Sequence, residues 1–473
     1  MHSSLNQLTQ SLSSRSLDWL RQKVMELPDP CPADHPDIGA LALATRMAPV
    51  LSGYYGRTSP LEVIVLRRLT ADVVRDACLR IIKGERGQSD QNLVLASRLV
   101  APHDPICQMA CATLADDGSV LLSTRVILSD DPMLWAVAEQ ALTLPLPELT
   151  EDHICSLTKL LINMFSSGAK RPRLSRAKSF TKIFDNLQIM ADWAFEQGCT
   201  NAMALTAFSL RLIDPDYDIS EIIAELAQSQ CPDGSFPAQI GEADDRQDFA
   251  TGNLPTLLCT LAMHVSLHYR WHRPAPVATS DQAYRDAIKT CAETASDLLA
   301  DRCPTLEQAA ILGRATGRDW ISKSDAIFGI LCPTEAENLA RICFRDPVSA
   351  RHIRRLIVLP DIPAPRGILK IEADWLRGKP VMIKGALPKS LVVLWTRAAK
   401  ANDTTSFMRC VRIALHFGVC DVTPQIRIAA RRIAAQSLVW SKSDDLDTVM
   451  QKLMTLILLA QLFQPCHQLE AAA

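Results

Sequence analysis

Three histidines near the middle of the chain have the spacing of neighbours on one helical face. His264, His268 and His272 are three of the ten histidines and follow one another at intervals of four residues. At about 100° per residue they span roughly 80° of a helix, an arc that they share with leucines between residues 254 and 261. The spacing predicts inward-facing side chains that line a ligand-binding cavity, form hydrogen bonds in a core, or bind a metal ion.

An acidic cluster precedes these histidines. Asp244, Asp245 and Asp248 lie close together in the sequence. Two histidines on adjacent helical turns can give two ligands to Zn²⁺ or another transition metal, and a carboxylate can supply the third. One hypothesis is therefore a metal site of His264, His268 and Asp248. The other treats all the histidines and aspartates named above as cavity or ligand-binding residues. Because no H-E-x-x-H motif is present, no cofactor is predicted, and a divalent metal stays an alternative.

Helices must position these side chains, and apolar residues recur at helical spacing along much of the chain. Clusters of Pro, Gly and Asp separate the periodic segments, aromatic residues make up 5%, and alternating β-branched runs are scarce. This pattern predicts a mostly α-helical fold of stacked helical hairpins. The clearest helical segments are Leu12–Met25, Leu61–Ile82, Ala287–Leu299, Ser406–Phe417, Pro424–Val439 and Leu446–Phe463.

Two regions are compatible with short β-hairpins. Ala110–Leu128 contains Asp-Asp-Gly between two apolar runs, which is a pattern of hairpin turns. Leu356–Leu359 and Val381–Lys384 have the length and composition of short strands. Short apolar runs do not distinguish strand from buried helix, so both alternatives stay open.

A basic segment suggests how the chain is divided. Ser166–Lys182 contains six basic residues and no acidic residue, which is typical of a solvated linker. A further boundary is expected near Pro274–Ser280, where Pro-Ala-Pro interrupts the helical pattern. The predicted division has an N-terminal helical domain at 1–166, a basic linker at 167–182, a central helical-hairpin region at 183–300 and a C-terminal helical region at 301–473.

Residues Gln230–Phe236 read Gln-Cys-Pro-Asp-Gly-Ser-Phe and follow a helical segment. Gly234 tolerates the positive φ that a sharp turn after a helix needs, and Phe236 can fold back to fill the gap between hairpins. The segment resembles the QW-type repeat of terpenoid cyclases and protein prenyltransferases, in which Gln closes a helix and Asp-Gly-Ser-aromatic forms the turn. It is also similar to a turn in the toroidal domains of some polysaccharide lyases.

This resemblance implies an α/α toroid, built from an inner and an outer ring of helices, in the central region. A helical-repeat array is the open alternative. The D-x-D-D acid motif of the cyclases is absent, so no catalytic residue is carried over and catalytic residues remain unknown. Asp244, Asp245 and Asp248 match the D-D-x-x-D pattern that holds Mg²⁺-diphosphate in isoprenoid enzymes. They also fit a loop or a first helical turn, where acidic residues favour the helix dipole.

Composition excludes several broad classes. Fifty basic and 52 acidic residues in 473 leave a net charge of −2, which disfavours a protein whose main task is to bind nucleic acid. Fifteen scattered cysteines without a C-x-x-C pair indicate buried thiols in a reducing cytoplasm. No segment has the pattern of a secretory signal or a membrane span, and no G-x-S-x-G, P-loop or G-x-G-x-x-G motif occurs.

The leading functional hypothesis is a helical binding or accessory protein outside the membrane. It would hold a small molecule, a modified peptide or a partner protein in a cavity or on a concave face, within a specialised biosynthetic pathway. One alternative is a toroid-class enzyme, similar to isoprenoid cyclases and transferases or to polysaccharide lyases. A second alternative is a helical-repeat scaffold without a small-molecule site.

Overall fold

The computed structural model consists of α-helices joined by turns and loops. It describes residues 2–55, 58–85, 87, 89–129, 131–146, 148–169, 174, 177–241, 247–268, 280–300, 302–324, 333–344, 346, 350–351, 353–354, 368–379, 389–416, 422–439 and 444–462. Within these ranges there are 21 α-helices, two 3₁₀-helices and no β-strand, apart from a single bridge between Cys199 and Gln239. The predicted mostly α-helical fold is confirmed.

The chain divides into two compact units, and the first contains Met1–Pro102 and Ala110–Val277. Helix α6 is shared, because its first turn groups with the second unit. The helices are α1 His2–Glu26, α2 Ile38–Tyr55, α3 Pro60–Arg68, α4 Ala71–Lys83, α5 Asp90–Val100, α6 Pro105–Asp116, α7 Leu122–Leu128, α8 Pro132–Thr143, α9 Glu151–Met164, α10 Ala177–Glu196, α11 Thr200–Ile213, α12 Ser220–Gln228 and α13 Phe249–His268, with a 3₁₀ turn at Ser166–Gly168.

The second unit contains His103–Met109 and Ala278–Ala473. Its remaining helices are α14 Ser280–Leu298, α15 Leu306–Thr316, α16 Pro333–Cys343, α17 Ile368–Leu376, α18 Lys389–Lys400, α19 Thr404–His416, α20 Pro424–Ser437 and α21 Leu446–Leu462, with a 3₁₀ turn at Ile321–Lys323.

Local capping fixes where many helices begin. Ser59, Thr150 and Thr423 each accept a hydrogen bond from a backbone N–H in the first turn of the helix that follows. Thr305 forms a capping box with Gln308, in which each side chain bonds the other residue's backbone N–H. These contacts satisfy N–H groups that a helix start otherwise leaves without partners.

Helices α11 and α13 form the centre of the first unit. Every residue of α11 is buried, and α13 is buried along most of its length. Helix α11 packs against α9, α10, α12 and α13, while α13 also packs against α1 and α2. In the second unit α21 has the corresponding position, since it packs against α14, α15, α19 and α20. A helix that is apolar on all sides gains most from such a central place.

The turn Gln230–Phe236 joins α12 and α13 to α1. Gly234 has φ +99°, and Phe236 is fully buried with its N–H donating to Thr256 Oγ1 at 3.0 Å. The Gln230 side-chain amide donates to the carbonyl oxygens of Leu12 and Gly234, at 2.9 and 3.1 Å. Hydrogen bonds from this turn therefore link the end of α12 to the backbone of α1.

Asp233 satisfies the polar groups around the same turn. Its Oδ1 accepts bonds from the N–H and the hydroxyl of Ser235, at 2.9 and 2.6 Å. Its Oδ2 accepts from Trp19 Nε1 at 3.0 Å and from the N–H of Gln247 at 3.4 Å. Although burial raises the pKa of Asp233, the hydrogen bonds from Ser235, Gln247 and Trp19 outweigh burial and lower this pKa below its usual value.

Two local expectations from the sequence are wrong. The predicted helix Leu61–Ile82 is two helices, α3 and α4, because Leu69 and Thr70 adopt extended backbone angles between them. The hairpin alternative for Ala110–Leu128 is not formed, because α6 continues through Asp116 and α7 begins at Leu122. The Asp-Gly turn inside this segment connects two helices rather than two strands.

Other expectations fall on parts of the chain outside the described residues. These include the alternative strands Leu356–Leu359 and Val381–Lys384 and most of the basic stretch between residues 170 and 176. Among the described helices, none combines the length and the apolar character needed to cross a lipid bilayer.

The close approach at Gly234 gives a stability prediction. A Cβ added there would lie 2.7 Å from the Arg15 carbonyl oxygen. Together with the positive φ, this contact predicts that Gly234→Ala lowers the free energy of unfolding by about 3 kcal/mol, measured by urea denaturation. Gly241→Ala is the control, because Gly241 has φ +89° but no atom within 4 Å of an added Cβ. Equal losses in the two variants would show that the Arg15 contact is not tight.

Candidate functional site

The structure places the predicted histidine site at the last turns of α13. His264 is fully buried and His268 is half-buried, with ring centroids 5.8 Å apart in an edge-to-face arrangement. The inward orientation predicted for His264 is therefore present. His272 lies outside the described residues, as do Asp244 and Asp245.

Hydrogen bonds to the α1 and α13 helices hold the ring of His264. Its Nδ1 lies 2.8 Å from the carbonyl oxygen of Thr260, to which it donates, and 3.0 Å from Ser13 Oγ. This assignment places the proton on Nδ1. Burial lowers the pKa of His264 to about 4, and the nearby His268 adds to this lowering, while the bond to Thr260 opposes it. His264 is thus a neutral core residue at neutral pH.

Asp248 lies at the opposite end of α13 from these histidines. It accepts hydrogen bonds from the N–H and hydroxyl of Thr251, at 2.8 and 2.7 Å, as the cap of the helix start. At 1.5 Å per residue it is roughly 24 Å from His264 along the helix. The structure therefore does not bring Asp248 and the histidines together. Within the described ranges, no three His, Cys, Asp or Glu side chains are grouped as metal ligands usually are.

A cavity of about 530 Å³ lies within the second unit. Helices α15, α16, α17, α19 and α21 or their ends supply its walls. Sequence reasoning assigned no role to the residues that line it. Its most unusual component is a charged cluster that consists of Glu372, Arg412 and His416.

Glu372 is the centre of this cluster and is only 2% exposed. Its Oε1 accepts a hydrogen bond from Arg412 Nη2 at 2.8 Å and lies 3.4 Å from His416 Nε2. Arg412 and His416 are four residues apart on α19, which places both on the same helical face. Burial raises the pKa of Glu372, but the hydrogen bonds from His416 and Arg412 and the charge of Arg412 outweigh burial and lower this pKa below its ordinary value. The buried carboxyl is therefore ionised at neutral pH.

Aromatic rings hold the imidazole in place. The Phe344 ring lies 4.4 Å from the His416 ring, centroid to centroid, at 34°. Trp375, on the same helix as Glu372, packs edge-to-face on Phe344 at 5.9 Å. Both Phe344 and His416 line the cavity. The charged cluster thus sits against an aromatic wall, where low polarity strengthens its electrostatic interactions.

A second polar group lies at a more exposed part of the cavity, where α15 and α21 begin. Gln308 Nε2 donates to Asp447 Oδ1 at 3.2 Å, and Asn338 Nδ2 donates to Glu307 Oε1 at 2.9 Å. From there Met450, Met454 and Leu458 follow one face of α21 along the wall. The cavity therefore combines an exposed acidic end, an apolar wall and an ion pair whose carboxylate is buried.

The sequence contains only part of the signal for this site. The spacing of Arg412 and His416 on the predicted helix Ser406–Phe417 resembles that of His264 and His268. Glu372 comes from a different helix, 40 residues earlier, and no local pattern links it to Arg412. Only the packing of α17 near α19 identifies these three residues as one group.

The lowered pKa of His264 predicts a pH effect on stability. Below pH 6.5 His264 becomes protonated in the unfolded chain, whereas in the folded protein it stays neutral down to about pH 4. The free energy of unfolding therefore falls as pH falls through this window. From this shift we expect His264 to account for a loss of about 2 kcal/mol between pH 7 and pH 5. In His264→Gln that part of the loss should disappear, as measured by urea denaturation at both pH values. An unchanged pH dependence would contradict a buried, neutral His264.

The Glu372 cluster predicts a different effect. Arg412→Gln leaves a buried carboxylate with weaker compensation, so at pH 7 we expect the free energy of unfolding to fall by about 2 kcal/mol. The difference from the unmodified protein should shrink as pH falls below 4.5, because the carboxyl becomes protonated. Arg409→Gln is the control, since Arg409 is exposed on the same helix. Equal effects of the two substitutions would argue against the buried ion pair.

Comparison with known proteins gives this chain no family. No protein-family model matches the chain, and neither curated proteins nor solved structures give a significant match.

Proposed function

We propose that this chain is a binding protein that holds a small molecule in the cavity of its second unit. The observation that carries the proposal is an ionised carboxyl, Glu372, buried in the wall of a cavity of about 530 Å³. Small-molecule sites have volumes of roughly 300–1,000 Å³ and combine apolar walls with a few well-placed polar groups. A buried ionisable group held by charged partners inside such a cavity favours a functional role.

The burial of Glu372 favours a ligand-binding role for this residue over a purely structural role. A buried charge costs desolvation energy even when it is paired, and an apolar substitute of the same size is often equally stable. Glu372 and its partners thus bring little stability that leucine or methionine would not provide. A ligand that interacts with the cluster gives these residues a use.

We further propose that the protein acts in the cytoplasm as an accessory component of a specialised biosynthetic pathway. The twelve described cysteines are all free thiols, which suits a reducing compartment. Closure of the central helices into a toroid stays a proposal from the resemblance of Gln230–Phe236. The local turn supports it to the extent that Gly234 and Phe236 have the backbone and burial that the resemblance implies.

Native purification tests the binding proposal. Protein isolated from its own host without denaturation should carry a stoichiometric small molecule, identified by mass spectrometry after extraction. Met454→Trp should remove at least nine-tenths of it, because the indole fills space beside the apolar wall of α21.

Met133→Trp is the matched control, since Met133 is 74% exposed in the first unit. It should leave the amount of bound compound unchanged. A ligand-observed NMR screen of a small-molecule library covers compounds that dissociate during purification. If neither experiment yields a ligand sensitive to Met454→Trp, the binding proposal is wrong, and copurification of a protein alone would favour the scaffold alternative.

A further inference from the structure

Two buried polar atoms of the cavity wall have no hydrogen-bond partner among the described residues. They are Glu372 Oε2 and His416 Nδ1. Glu372 is 2% exposed and His416 is 5% exposed, and both residues line the cavity. A buried polar atom without a hydrogen-bond partner is energetically costly, so a ligand group that bonds both atoms is favoured.

The hydrogen-bond pattern identifies both atoms as acceptors. Glu372 Oε1 is bonded by Arg412 and faces His416 Nε2, and a carboxylate oxygen only accepts. His416 Nε2 therefore carries the proton and donates it. Arg412 already supplies one positive charge to balance Glu372, so we assign His416 the neutral ring, in which Nδ1 is an acceptor. The ligand group that fits here must donate at least two hydrogen bonds.

The charges along the cavity favour a cation over a neutral donor. Its lining includes the carboxylates of Glu307, Glu372 and Asp447 against the guanidinium groups of Arg341 and Arg412. One negative charge is thus in excess. An anionic head group placed near Glu372 would face the unbonded Oε2 and meet like charge.

The rest of the wall requires an apolar body. Phe344, Leu415 and Ile311 are buried there, and Met450 and Met454 continue the wall along α21. From Asp447 to Leu458 the helix rises roughly 16 Å, which suits a molecule several carbon–carbon bonds long. Methionine side chains adapt to such chains because they are flexible and polarisable.

We infer that the cavity takes a primary ammonium or amidinium group on an apolar body, with this group donating hydrogen bonds to Glu372 Oε2 and His416 Nδ1. This inference rests on the proposed small-molecule binding function and specifies its ligand class. An ammonium group has three N–H donors and one positive charge, which match the two acceptors and the excess negative charge. The same head group occurs in free amines and in lysine side chains, and we expect the free amine.

Three compounds of equal carbon number test the inference: 4-phenylbutylamine, 4-phenylbutanol and 4-phenylbutyrate. Isothermal titration calorimetry at pH 7 should show 1:1 binding of the amine, at least tenfold tighter than the alcohol, and no binding of the carboxylate. A short peptide with one central lysine, capped at both ends, should bind at least tenfold more weakly than the amine. Tighter binding of the peptide would assign the ammonium group to a peptide ligand and overturn the expectation of a free amine.

Glu372→Gln replaces a charged acceptor by an amide of the same shape, so it should weaken amine binding at least tenfold. Asp374→Asn is the matched control on the same helix, because Asp374 pairs with Lys379 and does not line the cavity. Should Glu372→Gln fail to fold, ¹⁵N NMR of histidine-labelled unmodified protein gives an independent readout. The Nδ1 resonance of His416 should move when the amine binds, as expected for a nitrogen that accepts a hydrogen bond.

The outcomes separate this inference from the proposed function. Preferential binding of the carboxylate or the alcohol, or unchanged amine affinity in Glu372→Gln, would overturn the ammonium assignment and leave small-molecule binding intact. Failure of all three compounds to bind would also overturn it. The binding function itself would then depend only on whether native purification or the library screen yields a ligand sensitive to Met454→Trp.

Discussion

A polar group buried between helices is costly unless it finds a hydrogen-bond partner, and this constraint shapes both units. Helices satisfy their own backbone, so the exceptions are side chains and turns. In the first unit Asp233 meets the constraint through four hydrogen bonds, including one from Trp19 on α1. The position of α12 relative to α1 and α13 follows from these bonds and from the burial of Phe236.

The two units meet this constraint in different ways. His264 in the first unit is neutral, and its Nδ1 bonds to Thr260 and Ser13 within the core. In the second unit Glu372 keeps its charge and shares one oxygen with Arg412 and His416. A charged group in a cavity wall retains the capacity to bond a ligand. This difference is why the proposed site lies in the second unit.

Helix positions were predictable because apolar periodicity and capping are local. Pro424–Val439 and Leu446–Phe463 agree with α20 and α21 to within two residues at each end. The errors have local causes as well. Periodicity continues through Leu69 and Thr70, although Thr70 leaves the helical conformation to begin α4. In the segment Ala110–Leu128, the Asp-Gly pair is equally suited to a turn between strands and a turn between helices. The hydrophobic pattern does not distinguish these two structures.

The sequence by itself determined the helical class, the ends of several helices, the turn at Gly234 and the inward face of His264, because each depends on residues close together in the chain. Tertiary structure alone decided which polar residues share a site. It separated Asp248 from His264, because the rigid rise of α13 keeps residues 16 positions apart at a distance. It also joined Glu372 to Arg412 and His416, because α17 and α19 lie close enough for these side chains to meet. Such a meeting depends on packing between helices distant in sequence, which no local spacing records.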